Sequence, residues 1–286
     1  MIPNYVTKEA LDKIILDAIR EDLGDGDHST LAVIPEGKTG KARLIAKENG
    51  IIAGLELAGI VYGKFNEEVQ LVNYFKDGDP VNIGNIIFEV SGKARDILSS
   101  ERLVLNFMQR MSGISTYTRR LVDLIDDLPV KLLDTRKTTP NMRILEKWAV
   151  LIGGGTNHRI GLYDMIMLKD NHIDLAGGIR KAVEQAEEYL KSTGKKLKIE
   201  VETRNLKEVE EAIDAGQVDI IMLDNMNVRD MRKAVEMIDG RIKTEASGNV
   251  NEDTIREIAE CGVDFISVGA LTHSIKSLDL SLLTKI

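Results

Sequence analysis

The spacing of apolar residues divides the chain near residue 130. Before that point the pattern is mixed. Residues 8–20, KEALDKIILDAIR, set Leu11, Ile14, Ile15, Ala18 and Ile19 at helical spacing on one face. A polar loop, EDLGDGDHST, follows. KARLIAKENGIIAG then alternates Ala42, Leu44 and Ala46 with charged neighbours, as a half-buried strand does. LELAGIVYGKF reads as helix, and FKDGDPVNIGNIIFEVSGKARDIL as short strands punctuated by DG and SG turns. Residues 95–125 carry a long helical pattern whose small residues Ser112 and Gly113 predict a break and a domain boundary.

Beyond residue 130, short apolar runs alternate with amphipathic helices. The runs are VKLLD (130–134), YDMIML (163–168), LKIEVE (197–202), DIIML (219–223), RIKTEA (241–246) and DFISV (264–268). Strand and helix in alternation imply parallel strands joined by right-handed crossovers. Six strands fall short of the eight of a full barrel. The expected fold class is therefore α/β, an incomplete six- to seven-stranded β/α barrel (residues 113–273) with an N-terminal α+β sandwich domain (1–112). The tail, 274–286, is expected to rejoin that first domain.

In such barrels the loops at the strand C-termini build the site. Each strand here ends in hydrogen-bonding or charged residues: DTRK, KDNH, EVET, LDN, EASGN and VGALTHS. One such end is an ordinary helix cap or turn; six at one mouth are not. From Arg136 to His172 there are six Lys or Arg and three acids, a local excess of three positive charges. Cations crowded after one apolar strand repel each other unless an anion joins them. Arg grips carboxylates and phosphates with a planar fork, and Lys acts as a point charge. Glu202 and Asp224 close adjacent strands. Two carboxylates among phosphate-binding groups suit Mg²⁺, held directly or through water, or equally a ribose hydroxyl contact or an ion pair with Lys169. Ser247, Gly248 and Asn249 precede a predicted helix from Asn251, where exposed N–H groups favour an anion, and Gly269 allows a similar approach after the last strand. GGGTNHR lacks the GK[ST] of a phosphate loop and reads as a sharp turn presenting His158 and Arg159. The four histidines show no zinc spacing, and His172 is expected to be buried and hydrogen-bonded.

The whole chain narrows the partners. Its 286 residues, net charge of −8 and 43% hydrophobic content fit a folded acidic protein and argue against nucleic acid or an anionic membrane surface as partner. No apolar run reaches the ~20 residues of a membrane helix, and the start lacks a signal-peptide core. A lone Cys261 suits a reducing compartment, so a cytoplasmic location is expected.

DTRKTTPNMRILEKWAVLIGGGTNHRIGLYDMIMLKDNHI, followed by IEVET, IMLDN, EASGNV and SVGALTHS, closely resembles the quinolinate phosphoribosyltransferase family, also called nicotinate-nucleotide pyrophosphorylase (carboxylating). EDLGDGDHST and ERLVLNFMQRMSGISTYT fit as well, so the likeness spans nearly the whole chain. Departures are small: Asn141 for a usual Gly, Trp148 for Tyr, and His28 for an apolar residue. The resemblance implies conversion of quinolinate and phosphoribosyl pyrophosphate into nicotinate mononucleotide, pyrophosphate and CO₂, with Mg²⁺. It implies that Arg136, His158, Arg159 and Lys169 hold the dicarboxylate, joined by Arg102 from a neighbouring subunit of a homodimer or larger homo-oligomer, and that Thr135 is among the substrate-binding residues. Lys137 and Lys169 face the pyrophosphate. Glu202 and Asp224 orient ribose hydroxyls and metal. Ser247, Gly248, Asn249 and Gly269 cradle phosphates, with His273 nearby. Lys137, Lys169, Glu202 and Asp224 form the expected catalytic set. Two other readings share some of these features. A nicotinate phosphoribosyltransferase, or the related protein encoded beside molybdate-transport genes, would need fewer cations. A non-catalytic nucleotide-sensing barrel would leave Glu202 and Asp224 without a task.

Overall fold

The computed structural model describes residues 2–285. Its described residues divide into two compact units, 2–119, 138–154 and 271–285 forming the first and 120–137 with 155–270 the second.

The first unit opens with α1 (Lys8–Leu23), capped by the Thr7 hydroxyl, which accepts from the Ala10 N–H. α2 (His28–Val33), unexpected within the polar loop, is capped by Asp27. Next come β1 (Thr39–Ala46), β2 (Gly50–Ile51), α3 (Leu55–Phe65), β3 (Gln70–Asn73), β4 (Pro80–Val81) and β5 (Ile86–Lys93). β1 buries Ala42, Leu44 and Ala46 on one face, the alternation its sequence predicts. It pairs antiparallel with β5 and, on its other edge, with the C-terminal strand Leu280–Lys285, so Ala46 sits opposite Leu280 and Ala42 opposite Thr284. β3 completes a four-stranded sheet on the far side of β5.

α4 (Ala94–Asp123) runs without a break through Ser112 and Gly113, correcting the predicted interruption. Those small residues serve close packing. A Cβ at Gly113 would overlap the carbonyl oxygen of Lys276 and crowd Ile275 and Ser277. The Ser112 hydroxyl accepts from the Ala53 N–H at 2.9 Å and donates to the Ala53 carbonyl at 3.2 Å. α5 (Arg143–Ile152; numbered after α4) also belongs to this unit. Its buried Glu146 accepts from Arg110 at 2.8 Å and from the Thr139 N–H and hydroxyl, holding the 138–142 turn.

The second unit carries β6 (Lys131–Leu133), β7 (Ile166–Leu168), α6 (Asp170–Ala176), α7 (Ile179–Thr193), β8 (Ile199–Thr203), α8 (Leu206–Ile213), β9 (Ile220–Asp224), α9 (Val228–Ile238), β10 (Lys243–Ser247), α10 (Ile255–Ala259) and β11 (Phe265–Ser267). α11 (Ala270–His273) and β12 (Leu280–Lys285) follow. The six strands lie in the order β6-β11-β10-β9-β8-β7, with every pair parallel. The barrel is not closed: β6 and β7 do not pair. Thr156 fills part of the gap, bridging to Leu133 with its N–H donating to the Leu132 carbonyl. The pattern LAGGIRKAVEQAEEYLKS is split into α6 and α7 because Gly177 and Gly178 both take positive φ. No helix among the described residues is long and apolar enough to cross a membrane.

Candidate active site

The strand ends of the second unit gather most of the expected groups. At the end of β6, Asp134 is fully buried. Its Oδ1 accepts the His158 N–H at 2.8 Å and its Oδ2 accepts from Asn157 Nδ2 at 2.6 Å. This buried acid ties the 155–160 turn across the open seam of the barrel. Thr135 turns the next step of chain by accepting the Lys137 N–H at 3.0 Å. Arg136 is half-buried and Lys137 exposed.

Arg159 leaves the turn with its guanidinium donating to the Met165 carbonyl and toward Met167 Sδ, each at 3.3 Å. Burial lowers its pKa, and the neighbouring Arg136 cation lowers it further, against a smaller pull from Glu200 and Asp164. Two guanidinium groups that disfavour each other suit an anion, because a ligand with negative charge lowers that penalty.

His158 is enclosed rather than exposed at the rim. Its side chain is only 6% exposed, and Nε2 lies 3.1 Å from carboxylate oxygens of both Glu200 and Glu245. Its Nδ1 accepts the Arg159 N–H at 2.7 Å. Both ring nitrogens are thus turned into the protein rather than toward a ligand. Burial opposes charge on the ring, and the two facing carboxylates pull its pKa upward. A proton on Nδ1 would oppose the Arg159 N–H. The hydrogen of the ring therefore sits on Nε2, and burial followed by the Glu245 charge raises the pKa of Glu200. The ligating atoms of His158, Glu200 and Glu245 lie within 4.8 Å of one another, close enough for a metal site. With its hydrogen on Nε2, the ring meets the two carboxylates as a close, buried cluster.

Lys169 caps α6, and its Nζ is 3.7 Å from Glu202 Oε2. His172 is exposed, not buried, and its Nδ1 accepts the Lys169 N–H at 3.0 Å. Glu202 is 8% exposed. Burial raises its pKa, Asp224 adds to the rise, and Lys169 offsets part of it. Asp224 is oriented by Asn225, whose Nδ2 donates to Asp224 Oδ2 at 2.8 Å. Asn225 also accepts from Asn249 Nδ2 at 3.1 Å and sends its N–H to the Ser247 carbonyl at 2.8 Å. Asn225 and Asn249 both sit at φ 52°, and Gly248 at φ 101°. A Cβ at Gly248 would overlap the Asn225 amide. The acid of β9 and the loop after β10 are thus one interlocked structure.

The predicted helix after that loop begins late. Asn251 and Thr254 cap a turn, with the Asn251 N–H donating to Thr254 Oγ1 at 3.0 Å, and α10 starts only at Ile255. Any anion affinity here comes from the 247–249 loop rather than from a helix terminus. Gly269 follows β11, whose neighbour Val268 donates to the Leu133 carbonyl. Arg102 and His273 lie in the first unit and are exposed; His273 Nδ1 is 2.6 Å from Ser274 Oγ. Arg143 also belongs there, opening α5 and donating to Thr138 Oγ1 at 3.0 Å. Cys261 is buried and free, the ordinary fate of a small residue.

Sequence reasoning did not reach Asp134, Glu200, Glu245 or Asn225. IEVET held a clue: acids two apart on a strand share a face, so Glu200 lies on the Glu202 side of β8 instead of facing solvent.

Residues 27–112 match the description "Quinolinate phosphoribosyl transferase, N-terminal domain" and residues 114–283 match its C-terminal domain. A protein of Nicotiana tabacum, "Quinolinate phosphoribosyltransferase [decarboxylating] 2b, mitochondrial", is 46% identical over 98% of this chain and 82% of its own. The "Probable nicotinate-nucleotide pyrophosphorylase [carboxylating]" of Bacillus subtilis is 43% identical over 95% of this chain and 92% of its own. Among solved structures, NadC from Streptococcus pyogenes superposes with a TM-score of 0.92 at 43% identity, covering 98% of this chain and 99% of that one.

Proposed function

We propose, from the premise that this chain belongs to the quinolinate phosphoribosyltransferase family, that it joins quinolinate to phosphoribosyl pyrophosphate. The products are nicotinate mononucleotide, pyrophosphate and CO₂, a step of pyridine nucleotide synthesis. The observation that carries the reading is the gathering of Arg136, Arg159 and Lys169 beside the strand ends of the second unit, where burial first and the Arg136 cation second lower the pKa of Arg159. Quinolinate brings two adjacent carboxylates, and Arg136, Arg159 and Lys169 supply cations to match. A nicotinate enzyme binds one carboxylate and has no use for this surplus.

The donor set at Glu202 and Asp224 fits Mg²⁺. Both are hard oxygen donors on adjacent parallel strands, and Glu202 has its pKa raised by burial and by Asp224, a penalty that a dication relieves. Bound there, Mg²⁺ would draw charge from the leaving pyrophosphate. Glu202 and Asp224 also orient the ribose hydroxyls, Lys137 faces the pyrophosphate, and the 247–249 loop with Gly269 receives phosphate. The pyridine nitrogen, seated beside C1 of the ribose, forms the new bond as the bond from that carbon to pyrophosphate oxygen breaks. The ring nitrogen is then cationic. Its positive charge stabilises the electron pair left on C2 when the C2–carboxylate bond breaks and CO₂ departs, and that pair then takes a proton from water. The fixed cations bind and orient both carboxylates before that step.

Turnover with carboxyl-labelled quinolinate and phosphoribosyl pyrophosphate tests the reading. One CO₂ and one pyrophosphate per mononucleotide are expected, with nicotinate inert. Absence of CO₂, or efficient use of nicotinate, overturns it.

A cytoplasmic homodimer, with Arg102 completing the neighbouring subunit's site, accompanies this proposal. Mixing Arg102→Ala and Lys169→Ala chains should restore part of the activity each lacks. Verified mixed dimers without activity would confine the site to one chain.

A further inference from the structure

Glu200 and Glu245 are fully buried, on β8 and β10. Beyond the approach to His158 Nε2 at 3.1 Å, neither carboxylate has a hydrogen-bond partner among the described residues. Burying two acids side by side is costly, and apolar residues of the same size would commonly leave the fold as stable or more so. Their retention calls for a task that packing does not provide.

We propose that Glu200 and Glu245 are positioning residues for the dicarboxylate site, acting through the His158 ring to aim Arg159. The inference rests on the quinolinate reading and deepens it. Two carboxylates facing Nε2 hold its hydrogen on that nitrogen. Nδ1 is then left as an acceptor, and the adjacent Arg159 N–H donates to it at 2.7 Å. On the other side of the same residue, the His158 N–H is taken by Asp134 at 2.8 Å. Three strands, β6, β8 and β10, therefore fix one residue from below. The residue that follows it projects its guanidinium to the Met165 carbonyl and to the neighbourhood of Arg136. His158 supports the arginine and does not itself meet the ligand. A ring free to flip would turn an N–H against the Arg159 amide, release the turn and let two repelling guanidinium groups separate.

The test compares apolar with polar replacement at equal size. Glu200→Met and Glu245→Met keep the volume and lose the acceptor. Each should raise the KM for quinolinate about tenfold or more while leaving that for phosphoribosyl pyrophosphate within about twofold. Glu200→Gln keeps an acceptor for Nε2–H and a donor for Glu245, and should restore near-wild-type kinetics. A space-filling role predicts the reverse, with Met tolerated as well as Gln. Nitrogen-15 spectra of wild-type His158 give a second reading that needs no variant: hydrogen on Nε2 and an unprotonated Nδ1. Hydrogen on Nδ1, Met variants with unchanged quinolinate KM, or equal changes for both substrates would overturn the proposal. Wild-type turnover run alongside separates the two ideas. If it releases no CO₂ the parent reading fails; if it does and the Met variants match it, only the positioning role fails.

Discussion

Gly248→Ala tests the coupling between the β9 acid and the β10 loop most sharply. Gly248 sits at φ 101°, where an L-residue is strained by about 1–3 kcal/mol. The added methyl would also overlap the Asn225 amide, so Asn225 must move. Movement breaks its 2.8 Å bond to Asp224 and its 3.1 Å bond from Asn249. Each is worth about 0.5–1.5 kcal/mol, the carboxylate bond nearer the top of that range. The local loss totals about 2–6 kcal/mol, set against the 5–15 kcal/mol that holds a typical fold together, so a folded but less stable chain is expected. Asp224 would lose its fixed orientation. A ten- to hundredfold fall in kcat/KM for phosphoribosyl pyrophosphate, about 1.4–2.7 kcal/mol, is expected. Quinolinate binding, which depends on Arg136 and Arg159, should stay near the wild-type value. Pyrophosphate release at varied donor concentration, calorimetric titration with quinolinate and thermal unfolding together provide the assay. A lowered Tm with unaltered donor kinetics would refute the claim that Asn225 links the two strand ends.

Other consequences follow from the same geometry. Asp134→Asn leaves one acceptor for two donors, so it should cost about 1–3 kcal/mol and raise the quinolinate KM, read by thermal unfolding and kinetics. Gly113→Ala should lower Tm, although Gly→Ala within a helix ordinarily stabilises by about 1 kcal/mol, because the new Cβ meets the Lys276 carbonyl; a rise in Tm would contradict the close approach. Asp264, against the upward push of burial, has its pKa lowered by Lys243 and by the Thr244 N–H and hydroxyl. Its stabilisation is therefore complete above the unfolded carboxylate range, near pH 3.9, and is lost as pH falls through the lower folded value. Asp264→Asn should destabilise at pH 7, and the gap to wild type should close below about pH 4 in acid unfolding curves.

The barrel was legible because buried parallel strands appear as short apolar runs that stop abruptly at polar residues. VKLLD before TRK and DIIML before DN are examples, and all six runs became strands. Ser112 and Gly113 misled because small residues lower helix propensity while also permitting close contact; only the approach of residues 275–277 separates the two causes. The helix expected from Asn251 began late because Asn251 and Thr254 spend their side chains on a turn. The return of the tail to the first unit was expected, but the strand order of that sheet was beyond reach, since β1 takes as neighbour a strand more than 230 residues away in sequence. Within the site, the exposed cations were visible as a charge excess. Glu200 and Glu245 were not, because an acid in a strand reads as a solvated face until its neighbours are known. The enclosure of His158 was hidden for the same reason: nothing in TNHR reveals the two buried carboxylates beside its ring.

The central claim is that Arg136 and Arg159 form a seat for a dianion, and calorimetric titration of quinolinate into wild type and Arg159→Met addresses it directly. Wild type should bind quinolinate far more tightly than nicotinate. The variant should lose about a hundredfold in quinolinate affinity, about 2.7 kcal/mol, with little change for nicotinate. Equal affinity of both proteins for quinolinate, or an equal loss for the two ligands, would contradict the account.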